Sequence, residues 1–350
     1  PSGCRVVGSA TEKLSFWGGT PAVQPAVLTT QLTTITIADA AGTPDYALQA
    51  VKEIKKSFDN ALKNRVEEYM KLGFIQFYNT SEVSEIYTST EGMNGVEELG
   101  ELTTPPSLAL EDGYSVTITE KRFGGAIIVP EKVYRRDGAD RTLKVDQFLQ
   151  RQRNQLLKTN VQKLVTNAHL MLNEAFLSTS VYLAPDAVEV CGAHTWASGG
   201  TFDNSATANF DIDAYDTAWE YAGAFTDPAG KEMPLNWTHI VVKKGSAAHR
   251  EAIRLFAKEI KPTAVNDVNI YEGEVTVVET PYITTANKAN WFLMDLSTEL
   301  SPLAVGVGEY PTMRDPIKES NESIRSNCTG FWKQGVINMP FQVYGSDGTT

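Results

Sequence analysis

The sequence predicts an α+β fold, and three observations carry that prediction. Lys144 to Leu177 runs for 34 residues without Pro or Gly and repeats apolar residues at helical spacing. Gly92 to Pro130 reads as two extended arms around a polar, Pro-bearing tip. From about 211 to 300 helical and strand patterns alternate, and strand character returns from Asn321 to Gly345.

Composition narrows the function. The chain has 350 residues, 42% hydrophobic and 21% charged, enough for two domains or one elaborated domain. Its net charge of −12 repels phosphate, which disfavours a reader of nucleic-acid sequence. The opening PSGCRVVGSATEKL is polar, so no signal peptide is expected, and no run approaches the roughly 18 apolar residues of a membrane span. Cys4, Cys191 and Cys328 are too sparse for a disulfide framework and are expected as free thiols of a reducing cytoplasm.

In chain order, residues 1 to 43 are rich in Thr, Ala, Gly and Pro and read as an extended arm. Thr and Ile alternate across Leu28 to Ile37, which forms a strand only if a partner edge is offered. A helix then starts at Pro44, with Thr43 as N-cap and Asp45 at the positive end of the dipole. Leu48, Val51, Phe58, Leu62, Val66 and Tyr69 mark its packing face, and Gly73 closes it.

The hairpin follows. Its outward arm, Val96 to Thr104, carries Glu97, Glu98 and Glu101, and its return arm alternates Tyr114, Val116 and Ile118 with Ser115, Thr117 and Thr119. It is too long and polar to bury itself and is expected to project, bending at Gly124-Gly125 where it rejoins the body.

The long helix would span roughly 50 Å. Val145, Phe148, Leu149, Leu156, Leu164, Val165, Ala168, Leu172, Ala175 and Phe176 fit one face, and Arg151, Arg153, Lys158 and Lys163 lie on the polar side. Asp211-Ile212-Asp213 opens a further helix through Phe225, with Asp213 as expected N-cap. His239 to Val242 reads as a buried strand and Ser246 to Lys258 as a helix with Ala248, Ile253 and Phe256 inward. Val268 to Val278 and Trp291 to Asp295 read as strands, and the tail from Asn321 is expected to pair back beneath the long helix.

No motif carries chemistry. A phosphate-cradling GxxxxGK[ST], a dinucleotide GxGxxG, a GxSxG elbow and HExxH are all missing from the sequence. His169, His194, His239 and His249 are scattered, and the Cys191–His194 pair supplies two ligands where zinc needs more. Asp211 and Asp213 fit a helix start better than a catalytic pair, and Glu97, Glu98 and Glu101 fit a solvated acidic edge better than a cation site. No catalytic, cofactor-binding or metal-binding residue is expected.

The order of parts is the strongest signal. EDGYSVTITEKRFGGAIIVPEKVYRRDG, LMLNEAFLST, FTDPAGKEMPLNWTHIVVKKGSAAHREAIRLF, VNIYEGEVTVVETPYI and NWFLMD follow one another between a polar arm and returning strands. Over roughly residues 58 to 345 this succession resembles the HK97-type fold of tailed-phage major capsid proteins, Mu-like and related. The resemblance implies an N-terminal arm with linking helix over 1–71, a first part of the P-domain over 72–91 and an E-loop over 92–130. It further implies a P-domain with spine helix over 131–205, an A-domain over 206–312 and P-domain return strands over 313–350. It implies a subunit that self-assembles as hexamers and pentamers into an icosahedral head, without sequence-specific binding of the double-stranded DNA enclosed. Scaffolding or decoration proteins and a portal are its implied partners, the virion its location, the host cytoplasm its place of synthesis, and no membrane is involved. The residues expected at subunit contacts are Glu97, Glu98, Glu101, Tyr114, Lys121, Arg151 and Arg153. An encapsulin-like nanocompartment shell and, from another class, a hydrolase with an unrecognised site stand as alternatives.

Overall fold

The computed structural model describes residues 13–14, 22–23, 44–70, 72–93, 110–134, 141–257, 269–297 and 301–348. The alternation at Leu28–Ile37, the Thr43 cap and the hairpin's expected outward arm, Val96 to Thr104, with Glu97, Glu98 and Glu101 lie outside them.

Within the arm, β1 (Lys13–Leu14) pairs antiparallel with β2 (Ala22–Val23). Helix α1 (Pro44–Met70) starts where Pro44 predicts and buries Val51, Ile54, Phe58, Leu62 and Val66, a single stripe at steps of three and four. After it, Gly73 takes φ +76°, a left-handed turn that glycine adopts without steric cost, and the chain enters β3 (Gln76–Asn79). β4 (Ser84–Met93) and β5 (Leu110–Thr119) form an antiparallel ribbon, and β6 (Lys121–Val129) leads through α2 (Glu131–Tyr134) to α3 (Arg141–Ala168) and α4 (Leu170–Asn173).

The expectation of one helix over 144–177 is corrected. It begins earlier, is interrupted at His169 and ends at Asn173. The bonds tighten at the end, with the amides of Ala175 and Leu177 donating to Leu172 and Glu174, and the Ala175 carbonyl is taken by the Cys191 amide. The predicted face otherwise holds: Leu149, Leu164, Val165, Ala168, Leu172 and Ala175 are buried, while Phe148, Leu156 and Phe176 are half-buried at its margin.

A small hairpin of β7 (Ala193–Thr195) and β8 (Thr201–Asp203) precedes β9 (Ser205–Ala206). Helix α5 (Ile212–Ala224) is capped by Asp211, not by Asp213. Asp211 is extended and its carboxylate accepts from the Ala214 amide at 2.8 Å, whereas Asp213 already lies in the first turn. β10 (His239–Lys243) leads to α6 (Ala247–Phe256), capped by Ser246. The inward stripe of α6 is Ala248, Ala252 and Phe256; Ile253, expected inward, is 37% exposed because it sits one residue off that stripe.

The strand expected over Val268–Val278 is β11 (Thr276–Thr280). The residues before it turn instead: the Glu274 amide donates to Tyr271, and Gly273 takes φ +76°. β12 (Trp291–Met294) follows. β13 (Leu303–Met313) is a long strand that the sequence reading missed, because two glycines and Pro311 interrupt its apolar pattern. β14 (Ile317–Lys318), β15 (Ile324–Val336) and β16 (Val343–Ser346) complete the chain.

One sheet runs β6–β15–β13–β3, with β14 on the end of β15; β3 is parallel to β13 and the other pairs are antiparallel. Helices α1 and α3 pack on it, so β15 does lie beneath the long helix, as expected of the tail. β16, expected there too, enters the second sheet, β11–β10–β12–β16–β9. That sheet is buried on both faces. Ile240, Val242, Trp291 and Leu293 face α5 and α6, while Val241, Phe292 and Met294 face the core under α1 and α3. Strand alternation thus divides β10 and β12 between two cores and ties both layers into one body.

Candidate functional site

The ribbon β4–β5 is the feature with surface to offer, and its two faces differ. Inward go Glu85, Tyr87 and Ser89 of β4 and Tyr114, Val116 and Ile118 of β5, where Ser89 and Ile118 are buried. Outward go Ser84, Ile86 and Thr88 with their partners Thr119, Thr117 and Ser115. Hydroxyls meet across the strands, Thr88 and Ser115 at 3.0 Å. Ile86 stands 72% exposed at the centre of this uncharged face, and Val83 is 63% exposed at its foot. The described part of the hairpin therefore lies on the body by one face, rather than projecting from its root as a coreless arm.

A buried polar cluster fixes the root. Lys333 of β15 is wholly buried, and its Nζ donates to the Glu82 carbonyl at 2.7 Å and lies 3.1 Å from Oε1 of Glu85. The hydroxyls of Thr80, Tyr78 and Tyr87 donate to the same carboxylate, Tyr78 at 2.9 Å. Burial opposes the Glu85 charge, but these four donors override it and hold its pKa at about 2. Burial and the same carboxylate push Tyr87 up to about 12. Three elements, β3, β4 and β15, thus meet on one carboxylate. Sequence reasoning missed this cluster, since a lone lysine within a strand gives no signal of burial.

The expected contact residues fall in different places. Tyr114 is half-buried against the cluster of Trp196, Phe202, Phe225, Met339 and Phe341 in the same chain. Lys121 is exposed at the start of β6, opposite Trp332. Arg151 is exposed on α3. Arg153 turns back to α1, donating to the Ser57 carbonyl at 2.9 Å. The structure does not bring these four into one site.

The scattered histidines take packing roles. His169 is 2% exposed; its Nδ1–H donates to the Val165 carbonyl at 2.7 Å, which leaves Nε2 to accept from Thr280 at 2.8 Å. Burial pulls its pKa down to about 4, so the ring is neutral at pH 7. His194 is buried against Asp186 at 2.9 Å. Burial opposes the Asp186 charge, yet the His194 hydrogen bond and the amides of Thr195 and Val188 hold its pKa below the usual range. Cys191 and Cys328 are free and buried, and burial pushes the Cys328 thiol up to about 12. Among the described residues no group of three His, Cys, Asp or Glu is placed to hold a metal ion, and no described helix is long and apolar enough to cross a membrane.

The arrangement is that of a mixed α+β protein whose distinctive features are surfaces. No family model and no curated protein matches the chain. Among solved structures it is similar to one from Mycobacterium phage Cain, at 11% identity and TM-score 0.41, over 92% of this chain and 95% of that one. It is also similar to the head structure of Helicobacter pylori bacteriophage KHP40, at 10% identity and TM-score 0.42, over 78% and 88%. A virus-like particle from Pyrococcus furiosus aligns at 6% identity and TM-score 0.39, over 84% and 98%.

Proposed function

We propose that the chain is a structural shell subunit that assembles with copies of itself into the icosahedral head of a tailed phage and encloses packaged double-stranded DNA. The observation that carries this reading is the outward face of the β4–β5 ribbon. Isoleucine, threonine and serine there form an uncharged surface on a chain of net charge −12, with its largest apolar side chain 72% exposed. A face of that kind is suited to a second protein surface, not to solvent. Other exposed apolar side chains are Ile128 and Ile317 on the first sheet and Trp219 on α5.

In this reading the E-loop of residues 92–130 holds β5 and β6, α3 is the spine helix, α1 the linking helix, and residues 206–312 with α5 and α6 are the A-domain. The strand β15 belongs to the P-domain return strands of residues 313–350. Lys121, the ribbon and the glutamates Glu97, Glu98 and Glu101 meet neighbouring copies in hexamers and pentamers. Portal, scaffolding and decoration proteins would be the further partners, and the subunit's role is structural, not catalytic.

Negative-stain microscopy of the purified protein tests the reading. Hollow shells tens of nanometres across are expected. A monodisperse particle of the 38.4 kDa chain at high concentration would overturn it. Shells that hold protein cargo in the producing cell, and no DNA, would favour a nanocompartment instead.

A further inference from the structure

The exposed face of α3 has an unusual composition. Between residues 147 and 163 nine side chains are exposed, and they are three cations, five amides and one threonine, with no carboxylate. The cations are Arg151, Lys158 and Lys163. Elsewhere the chain is strongly acidic: the 28 residues of this helix hold six Lys or Arg against one Asp, within a net charge of −12. An ordinary solvated helix mixes both signs, which lets i,i+4 pairs form; this face gives those pairs up.

The spacing suits a repeating anion. Arg151 and Lys158 are two turns apart on one face, roughly 10 Å along the axis, while Lys163 lies roughly 18 Å along from Arg151 and about 120° around the helix, on its other flank. Gln155 and Gln162 stand between and beside them, able to donate to phosphate oxygens. Lys163 is held over the Phe123 ring, 5.8 Å from its centroid, which fixes it on that flank. The helix itself is anchored from below by Leu149, Leu157, Val161 and Leu164, so the cations are presented on a rigid rod. Nothing in it has the shape of a pocket for a single small anion.

We propose that this face of α3 binds the phosphate backbone of duplex DNA without regard to sequence. The inference rests on the shell reading for its biological setting: an acidic subunit would carry one attractive surface, turned to the packaged DNA. It narrows the role of Arg151 from contact in general to contact with a polyanion. Three phosphate contacts per subunit are weak alone, which suits a container, and become substantial only when many subunits present them together.

Unassembled protein, kept below the concentration at which light scattering detects shells, is titrated with a labelled duplex of arbitrary sequence between 50 and 200 mM NaCl. Binding by the wild type should weaken about 40-fold over that range, as counterion release at three phosphates dictates. The combined variant Arg151→Gln, Lys158→Gln, Lys163→Gln should lose most of that salt dependence, while Arg151→Lys should keep it. Far-UV circular dichroism checks that the helix is intact. An equal slope in wild type and triple variant overturns the proposal, whether or not shells form. So does a triple variant that binds DNA normally but no longer assembles, which would make the face a protein contact. If microscopy finds no shells yet the slope difference appears, the face stands and the shell reading falls.

Discussion

The Nζ of Lys333 lies 3.1 Å from Oε1 of Glu85, and with the lysine wholly buried this pair joins the middle of β15 to the root of the β4–β5 ribbon. A buried lysine has a large desolvation cost, so its partners must all be in place. The pair therefore sets where the ribbon leaves the body, and the ribbon's outward face inherits that geometry.

Lys333→Met should destabilise the protein by about 3 kcal/mol, because Glu85 keeps its charge and loses its cation. Adding Glu85→Gln should recover part of the loss. Urea unfolding measures both; a single-variant cost under about 1 kcal/mol would mean that the pair contributes little.

Glu85 also predicts a pH dependence. Its pKa is lowered from 4.5 to about 2, so its contribution is complete above pH 4.5 and is lost as pH falls towards 2. The stability difference between wild type and Glu85→Gln, up to roughly 3 kcal/mol by linkage, should shrink across that window. A difference that stays constant from pH 6 to pH 2.5 contradicts this.

His169 acts in a higher window. Its pKa falls from 6.5 to about 4 on folding, so the unfolded chain binds the proton first. Stability should drop as pH falls from 6.5 to 4 and then level off. His169→Gln should flatten this part of the profile, and an unchanged slope in that variant would show that other groups are responsible.

Helix α3 offers a packing test. Leu149 is fully buried and Phe148 only half-buried. Leu149→Ala should cost about 3 kcal/mol, and Phe148→Asp should cost less than Leu149→Asp because Asp at 148 can reach water. Thermal unfolding that ranks the two Asp variants the other way would place the wrong residue in the core.

Ile86→Lys should leave unfolding within about 0.5 kcal/mol of wild type, since the side chain is solvent-exposed in the isolated chain. It should block shell formation if the ribbon face is a subunit contact. Normal shells from this variant would remove the observation on which the proposed function stands.

Much of the architecture was legible in the residues. Pro44 and the apolar stripe of α1, the alternation of Tyr114, Val116 and Ile118, and the long face of α3 are local periodicities; α1 and β5 formed where their periods indicated, while α3 kept its face but began earlier and broke at His169. β13 was not legible. Gly306 makes room for the Tyr78 hydroxyl, and a Cβ at Gly330 in its partner strand would lie 2.8 Å from the Pro311 nitrogen. Those residues read as strand breakers until the neighbours that need them are known.

The sequence by itself determined the main helices and the return arm of the ribbon, and that charge is unevenly shared along the chain, because periodicity and composition are properties of neighbouring residues. Only the tertiary structure decided that Lys333 is buried, that Tyr114 turns inward and that Arg153 is held by Ser57 while Arg151 is left exposed. Those outcomes depend on contacts between residues far apart in the chain, and the same side chain is core or surface according to which partner the fold brings to it.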